Sequence, residues 1–121
     1  MNLATYTFTN YSIASELIKA KERGVLVNVI VDYKNSKNYS SILKFLKKNG
    51  VFVKICKKYS IMHNKFLIVD GKTIVTGSFN YTYNAHLRNA ENVIYIRNNF
   101  YVSKNYLKEF YRLWNESYLF F

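Results

Sequence analysis

The first half of the chain alternates between short strand patterns and amphipathic helical patterns. Residues 3–9 alternate like a short strand, and the segment Asn10-Tyr11-Ser12 offers an N-cap for a helix that ends near Gly24. Residues 25–31 form a nearly continuous β-branched run, which is typical of a strand buried on both faces. The remaining elements of this half are predicted as a polar loop, a helix and a strand, over 35–38, 39–49 and 51–56.

The second half contains a hairpin followed by a strand and a long helix. The hairpin strands are predicted over 62–69 and 73–76, joined by a tight turn at 70–72. A turn at Gly77-Ser78 leads into a polar segment of helical character, a strand over 92–97 and a final amphipathic helix. The core-facing residues of that helix are Tyr106, Phe110, Leu113 and Trp114. Together the two halves predict the α/β class, with a mixed β-sheet flanked by helices.

The composition indicates one basic domain. With 121 residues the chain has room for a single core, so one domain over 1–121 is predicted. Lys and Arg total 18 against 7 Asp and Glu, and the net charge of +11 favours a polyanionic partner such as nucleic acid. The single cysteine, Cys56, excludes an intramolecular disulfide, and no Cys or His cluster has zinc-site spacing. No cofactor is therefore expected.

Neither a membrane span nor a signal peptide is predicted. No apolar run approaches the roughly 18 residues of a membrane span, and residues 1–6 are unlike a signal peptide. The chain as it stands is therefore expected to be cytoplasmic.

The residues that carry chemistry lie between positions 63 and 80. His63 and Lys65 are two apart, so on a strand they project from the same face. The hairpin brings Ser78 and Asn80 back towards His63. This combination suits a phosphate group: the imidazole attacks phosphorus, while Lys65, Ser78 and Asn80 stabilise charge on the non-bridging oxygens.

These residues fit a longer motif, H-x-K-x4-D-x6-G-S-x-N, with six fixed positions. They are His63, Lys65, Asp70, Gly77, Ser78 and Asn80. The motif resembles the signature of the phospholipase D superfamily. The flanking segments at 3–9, 20–32 and 89–94, with Trp114, look like the small single-motif bacterial endonucleases of that superfamily, which are relatives of mitochondrial cardiolipin hydrolases.

The resemblance implies a metal-independent phosphodiesterase with a phospholipase D/nuclease-like sandwich. Because such nucleases carry one motif per subunit, it also implies a homodimer with the active site at the two-fold interface. One His63 is then expected to form a phosphohistidine, while the second protonates the leaving oxygen. Glu91 matches the acidic residue that orients the histidine through a hydrogen bond, and Asp70 is expected to support the hairpin.

The resemblance also implies that a segment is missing. The small nucleases begin with an additional strand and helix ahead of the part that matches residues 3–9. The completeness of the sheet, dimerisation and activity are expected to depend on that segment, and a periplasmic or secreted location is expected if the true N-terminus lies upstream.

Other residues near the motif have two interpretations. Lys57 and Lys58 are the candidates for a patch that guides substrate. Tyr59, Phe79 and Tyr81 could stack on unpaired bases, although a core role fits Phe79 and Tyr81 equally well. His86 is predicted at the surface, and residues 118–121 would form an exposed apolar tail if nothing covers them.

Three functions remain open at this point. The leading hypothesis is a non-specific endonuclease that hydrolyses DNA or RNA. The second is a phospholipase D or cardiolipin hydrolase, because the same chemistry acts on lipid phosphodiesters and a basic face attracts anionic phospholipid. The third is a nucleic-acid-binding module that no longer assembles the paired site.

Overall fold

The computed structural model describes residues 1–121, apart from the side chain of Asn35. Its strands are β1 (Asn2–Thr5), β2 (Asn28–Asp32), β3 (Phe52–Cys56), β4 (Lys65–Val69), β5 (Thr73–Gly77), β6 (Val93–Ile96) and β7 (Tyr118–Leu119). Its α-helices are α1 (Tyr11–Glu22), α2 (Tyr33–Ser36), α3 (Ser40–Lys48), α4 (Tyr83–Leu87) and α5 (Phe100–Asn115), and a 3-10 turn over Lys37–Tyr39 joins α2 to α3.

The seven strands form one mixed sheet in the order β6-β5-β4-β1-β2-β3-β7. The strands β1, β2 and β3 are parallel, and every other neighbouring pair is antiparallel. The predicted α/β class with a mixed sheet is therefore confirmed. The carboxyl ends of β1, β2 and β3 lie at the same edge as the start of β4, because Thr5 pairs with Lys65.

Helices cover both faces of the centre of the sheet. On one face, α1 and α3 pack against β1, β2 and β3, with Leu17 and Leu46 among the buried residues. On the other face, Phe110 and Leu113 of α5 pack with Phe66 and further buried residues of β1, β2, β4 and β5. Every residue of β2 is buried, including the polar Asn28 and Asp32 at its two ends, as the nearly continuous apolar run predicts for a central strand.

The predictions for residues 25–31 and 35–38 differ from the structure, and local hydrogen bonds give the reason. The strand predicted over 25–31 begins only at Asn28, because residues 24–25 close α1 through a bond from the Val25 N–H to the Ala20 carbonyl. The loop predicted over 35–38 is helical. A carboxylate oxygen of Asp32 accepts the Lys34 N–H at 3.0 Å, which begins the first turn of α2.

The strands predicted over 3–9 and 62–69 are both shorter in the structure. β1 ends at Thr5, beyond which Phe8 forms only a single bridge with Tyr81. β4 begins at Lys65, so residues 62–64 lie outside the ladder. Both differences arise because Thr5 and Lys65 are the last partners of the β1–β4 pair.

The C-terminal segment 118–121 is attached to the sheet, because residues 118–120 pair with β3. Tyr118 and Leu119 pair with Ile55 and Lys54 of β3, and the Phe120 N–H donates to the Val53 carbonyl at 3.0 Å. The side chains of Tyr118 and Leu119 nevertheless stay exposed. Backbone pairing therefore holds this segment at the edge of the sheet.

One part of the sheet is left open. Beside α1, a groove of about 460 Å³ lies over β4, β5 and β6, and its lining is mainly apolar. Its sheet residues include Leu67, Val69, Val75, Val93 and Tyr95. Within the part of the chain that the structure describes, no helix is long and apolar enough to cross a membrane.

Candidate active site

Three chain segments meet along the edge of the sheet that is formed by the carboxyl ends of β1, β2 and β3. β1 ends there at Thr5, β4 begins there at Lys65, and β5 ends there at Gly77. This arrangement gathers most of the predicted site residues. His63, Lys65, Ser78, Asn80 and Glu91 are brought to this edge or to the loops that extend from it, whereas Asp70 is not.

His63 and Lys65 are in direct contact. The Lys65 Nζ lies 3.1 Å from His63 Nδ1, 3.4 Å from Nε2 and 2.8 Å from the His63 carbonyl oxygen. The imidazole is exposed, and the ring of Tyr6 packs beside it with a centroid separation of 4.8 Å. The predicted pairing of imidazole and ammonium is therefore present, although His63 precedes the strand.

Partial burial changes the acidity of Lys65. Desolvation lowers the pKa of its ammonium below the ordinary 10.5, and the nearby negative charge of Glu91 raises it in part. An ammonium that has lost some of its water interacts more strongly with a phosphate oxygen placed beside it. Lys65 is therefore suited to holding an anion next to His63.

The turn after β5 is held tightly against β6. A Cβ on Gly77 would overlap the Asn92 carbonyl oxygen, so a side chain fits at this position only if the segment leading into β6 moves. Ser78 follows, and its backbone N–H donates to the same carbonyl at 3.0 Å. The Ser78 hydroxyl accepts the Asn92 N–H at 3.1 Å and donates to Glu91. The glycine in the motif thus permits the close approach that fixes Ser78.

Glu91 contacts different partners from those expected. Its carboxylate accepts hydrogen bonds from the Ser78 hydroxyl and from the Asn89 amide, the latter at 3.1 Å. These bonds lower the pKa of the carboxyl, and the Lys65 charge lowers it further. Within the described residues Glu91 has no hydrogen bond to His63, because the ammonium of Lys65 contacts the imidazole nitrogens. The expected hydrogen bond between Glu91 and His63 is therefore corrected: Glu91 bonds to Ser78 and Asn89 and acts on Lys65 only through its charge.

Asn80 is held where the segment after β5 crosses the end of β1. Its Oδ1 accepts the Thr7 N–H at 3.4 Å, and the neighbouring Tyr81 carbonyl accepts the Thr9 N–H at 2.8 Å. Tyr81 is buried and packs edge-on against Phe8, and its burial raises the pKa of its hydroxyl. Tyr81 is therefore a core residue and offers no ring to an incoming base. Phe79 packs partly against the same core.

Asp70 lies at the opposite edge of the sheet. It and Gly71 have φ angles of 55° and 65°, as the two central residues of a tight hairpin turn between β4 and β5. Five positions of strand separate it from Lys65, which is roughly 17 Å. The expectation that Asp70 supports the hairpin fits this location.

The two lysines after β3 differ from each other. The Lys58 Nζ forms an ion pair with Glu116 at 3.1 Å, and Glu116 also accepts a hydrogen bond from Tyr59. The Lys57 Nζ instead lies over the rings of Tyr33 and Tyr118. His86, the other histidine, is exposed on α4 and contacts Asn10.

Sequence reasoning missed Asp32, which acts on the segment that carries His63. Asp32 is almost fully buried at the end of β2, and its Oδ1 accepts the Met62 N–H at 2.7 Å. Tyr6, whose ring packs on the imidazole, was also missed. The available signal for Asp32 was a single carboxylate at the end of a mostly apolar strand.

The arrangement provides a nucleophile and several groups that can hold a phosphate. An exposed imidazole, an ammonium and an amide lie at this edge of the sheet, whereas the predicted role of Ser78 in holding phosphate is not supported, because its hydroxyl proton is donated to Glu91. Within the described part of the chain, no three His, Cys, Asp or Glu side chains are grouped so that they could hold a metal ion.

A protein-family model described as "Cardiolipin synthase, PLD-like domain" matches residues 1–114. A phospholipase D from Rickettsia conorii is 43% identical over 94 residues, which cover 78% of this chain and 47% of that protein. The mitochondrial cardiolipin hydrolase of Xenopus laevis is 37% identical over 116 residues, which cover 96% of this chain and 55% of that protein. The chain thus spans about half the length of these curated relatives.

Solved structures share the same fold. The phospholipase D family member Nuc from Salmonella typhimurium superposes with a TM-score of 0.95 at 30% identity, covering 98% of this chain and 80% of that one. NucT from Helicobacter pylori superposes with a TM-score of 0.84 at 27% identity over the same shares. The family model, the relatives and the site geometry agree, and the chain belongs to the phospholipase D superfamily.

Proposed function

We propose that this protein is a metal-independent phosphodiesterase that hydrolyses the backbone of nucleic acids through a phosphohistidine intermediate. The observation that carries the proposal is the contact between His63 and Lys65, with 3.1 Å between Nδ1 and Nζ. It places a nucleophile beside a cation that can neutralise a phosphate oxygen without a metal ion.

The reaction proceeds in two displacements at phosphorus. In the first, a ring nitrogen of His63 forms a bond to phosphorus, and the bond to the leaving oxygen breaks as that oxygen takes a proton from a second imidazole. In the second, the same second imidazole removes a proton from water, the hydroxide attacks phosphorus, and the N–P bond breaks. The ammonium of Lys65 and the amide of Asn80 stabilise the charge on the non-bridging oxygens.

The second imidazole comes from another copy of the chain. His86 is the only other histidine in the sequence, and it contacts Asn10 rather than His63. His63 is exposed and available to a partner surface. A two-fold dimer that faces one His63 towards the other supplies both groups, because an isologous interface presents the same surface from each subunit.

Nucleic acid is the substrate favoured by charge. The chain carries a net charge of +11, which attracts a polyphosphate backbone and steers it to the site. We therefore place DNA or RNA hydrolysis first.

Lipid phosphodiester hydrolysis is the second candidate. It is supported by the likeness to the mitochondrial cardiolipin hydrolase of Xenopus laevis. It is also supported by the apolar groove, because Leu67 and Val69 follow Lys65 on the same face of β4 and line that groove. Binding of nucleic acid without cleavage is the outcome expected if two copies do not assemble.

The test compares the hydrolysis of three substrates, each assayed separately in excess EDTA at low salt. Plasmid DNA, single-stranded oligonucleotide and cardiolipin vesicles are each incubated with the protein and with the variant His63→Asn. Cleavage of either nucleic acid by the unmodified protein alone supports the proposal. Faster release of lipid product than of nucleotide product reverses the order of the two candidates, and a requirement for added Mg²⁺ contradicts the mechanism.

A further inference from the structure

A group of lysine and tyrosine side chains lies at the same edge of the sheet as His63. The Lys57 Nζ lies 5.1 Å from the centroid of the Tyr33 ring and 5.6 Å from that of the Tyr118 ring. The Lys37 Nζ lies 5.5 Å from the Tyr33 centroid. We call these four residues, Tyr33, Lys37, Lys57 and Tyr118, the tyrosine–lysine cluster.

The position of the cluster follows from the order of the strands. Tyr33 follows β2 directly and Lys57 follows β3 directly, so both leave the sheet at the edge where β4 begins with Lys65. β3 lies three strand positions from β4. At ~4.8 Å per strand this is about 14 Å, a distance that a few nucleotides of one strand can span.

The cluster is open and carries free positive charge. Tyr33 is 39% exposed and Tyr118 is 62% exposed, so each ring offers area to a ligand. Lys57 and Lys37 are exposed, and neither pairs with a carboxylate among the described residues, whereas the adjacent Lys58 is neutralised by Glu116. Lys57 and Lys37 can therefore offer positive charge to a phosphate, whereas the charge of Lys58 is already paired.

Tyr33 and Tyr118 both line a small cleft. It has a volume of about 250 Å³, and Tyr33, Lys57 and Tyr118 line it together with Ile55 and Phe120. This volume is smaller than the roughly 300–1,000 Å³ of sites for drug-sized ligands. A flat ring with one attached phosphate suits a cleft of this kind, with aromatic walls and a cation at its mouth.

We propose that the tyrosine–lysine cluster is a binding subsite for one unpaired nucleotide of a single-stranded nucleic acid whose backbone continues to His63. The base stacks on Tyr33 and Tyr118, and Lys57 and Lys37 contact its phosphate. This inference rests on the proposed function for its substrate class. Double-stranded DNA does not fit the subsite, because its bases are stacked on each other and present no free face.

The experiment measures binding without catalysis. In a His63→Asn background with EDTA, fluorescence anisotropy gives the Kd for a short oligothymidylate and for a blunt duplex of the same length. Tyr33→Ala and Tyr118→Ala are compared with Tyr101→Ala, an exposed tyrosine of α5. Lys57→Ala is compared with Lys72→Ala, an equal change of charge at the hairpin turn on the opposite edge.

The inference predicts two different responses. Each tyrosine variant raises the Kd for oligothymidylate about fivefold or more at an unchanged salt dependence, since stacking is lost but no phosphate contact is. Lys57→Ala lowers the slope of log Kd against log salt by about 0.7, the value of one phosphate contact to a single strand. Tyr33→Phe and Tyr118→Phe, which keep the rings, bind as the background protein does.

Several results would overturn the inference. Unchanged oligothymidylate binding by Tyr33→Ala and Tyr118→Ala is one, and equal weakening of duplex binding is another. Weaker binding only to cardiolipin vesicles assigns the cluster to lipid instead. The proposed function is tested separately, because hydrolysis of bis(p-nitrophenyl) phosphate by the unmodified chain needs His63 but not this subsite.

Discussion

Asp32 Oδ1 accepts the backbone N–H of Met62 at 2.7 Å, and Met62 directly precedes His63. The two residues are 30 positions apart, and the carboxylate is buried at the end of β2. A charged acceptor makes this hydrogen bond stronger than one between neutral groups. Asp32 thereby fixes the extended segment that presents the imidazole beside Lys65, and we regard it as a positioning residue.

Removal of the Asp32 carboxylate should reduce both stability and activity. Asp32→Ala leaves the Met62 and Lys34 N–H groups without their acceptor, and we expect a loss of about 1.5–3 kcal/mol in the free energy of unfolding. We also expect kcat for bis(p-nitrophenyl) phosphate to fall about tenfold or more with little change in KM, because the imidazole loses its alignment.

The conservative variant provides the control. Asp32→Asn keeps an oxygen for Met62, so it should recover most of the kcat lost in Asp32→Ala. Steady-state kinetics and thermal unfolding of both variants measure the two effects. Equal kcat values for Asp32→Ala and the unmodified protein would show that this contact has no positioning role.

Gly77 is required because of the space that it leaves. In Gly77→Ala the new methyl group meets the Asn92 carbonyl, so β6 must move away and carry Glu91 from Ser78. We expect a loss of about 1–3 kcal/mol of stability and a large loss of activity. Gly24→Ala is the matched control, since Gly24 has a φ of 93° but no atom near its missing Cβ. A smaller loss of activity in Gly77→Ala than in Gly24→Ala would contradict this explanation.

The pH dependence of activity should report the environment of Lys65. Desolvation lowers the pKa of this ammonium, so the charged form is lost at a lower pH than for an ordinary lysine. In the proposed mechanism the charged form holds the phosphate, and p-nitrophenolate leaves without needing a proton from the second imidazole. We therefore expect the alkaline limb of the kcat/KM profile for bis(p-nitrophenyl) phosphate to fall below pH 10.5, the ordinary lysine value. Glu91→Gln removes a charge that raises this pKa and should move the limb to still lower pH.

The measurement is a pH–rate profile with bis(p-nitrophenyl) phosphate for the unmodified protein, Glu91→Gln and Lys65→Arg. Arginine remains charged throughout the range, so Lys65→Arg should lose the alkaline limb if it retains measurable activity. A limb that moves to higher pH in Glu91→Gln would contradict the assignment.

Asp70 should prove dispensable for the reaction. Asp70→Asn keeps a residue that tolerates the positive φ of this turn. We expect kcat to stay within about twofold of the unmodified protein and unfolding to change by only a few tenths of a kcal/mol. Because Asp70 belongs to the motif, a large fall in kcat with unchanged stability would place it in the reaction and contradict its location in the structure.

The sequence predicted those parts of the fold that local patterns determine. The β-branched run ending at Asp32, the cap at Asn10 and the hairpin at Asp70-Gly71 each have a short-range physical cause. Residues 118–119 were missed as a strand because a two-residue strand shows no alternation, and it exists only through pairing with β3.

The site shows the same division. The spacing of His63 and Lys65 indicated their contact, because the two residues are neighbours on one face. The bonds from Met62 to Asp32 and from Thr7 to Asn80 join residues 30 and 73 positions apart, so they depend on the folded sheet. The partners of Glu91 were mistaken for a similar reason, since the approach of β6 to Gly77 decides them.

The central claim, that His63 is the nucleophile, is tested most directly by trapping its covalent intermediate. Turnover of bis(p-nitrophenyl) phosphate in EDTA is quenched with alkali during the first cycle, and the digested protein is analysed by mass spectrometry. The account predicts a nitrophenyl phosphoryl group on the peptide containing His63, and neither adduct nor product with His63→Asn. Product formed in the first cycle with no modified histidine, or turnover by His63→Asn at the rate of the unmodified protein, would contradict it.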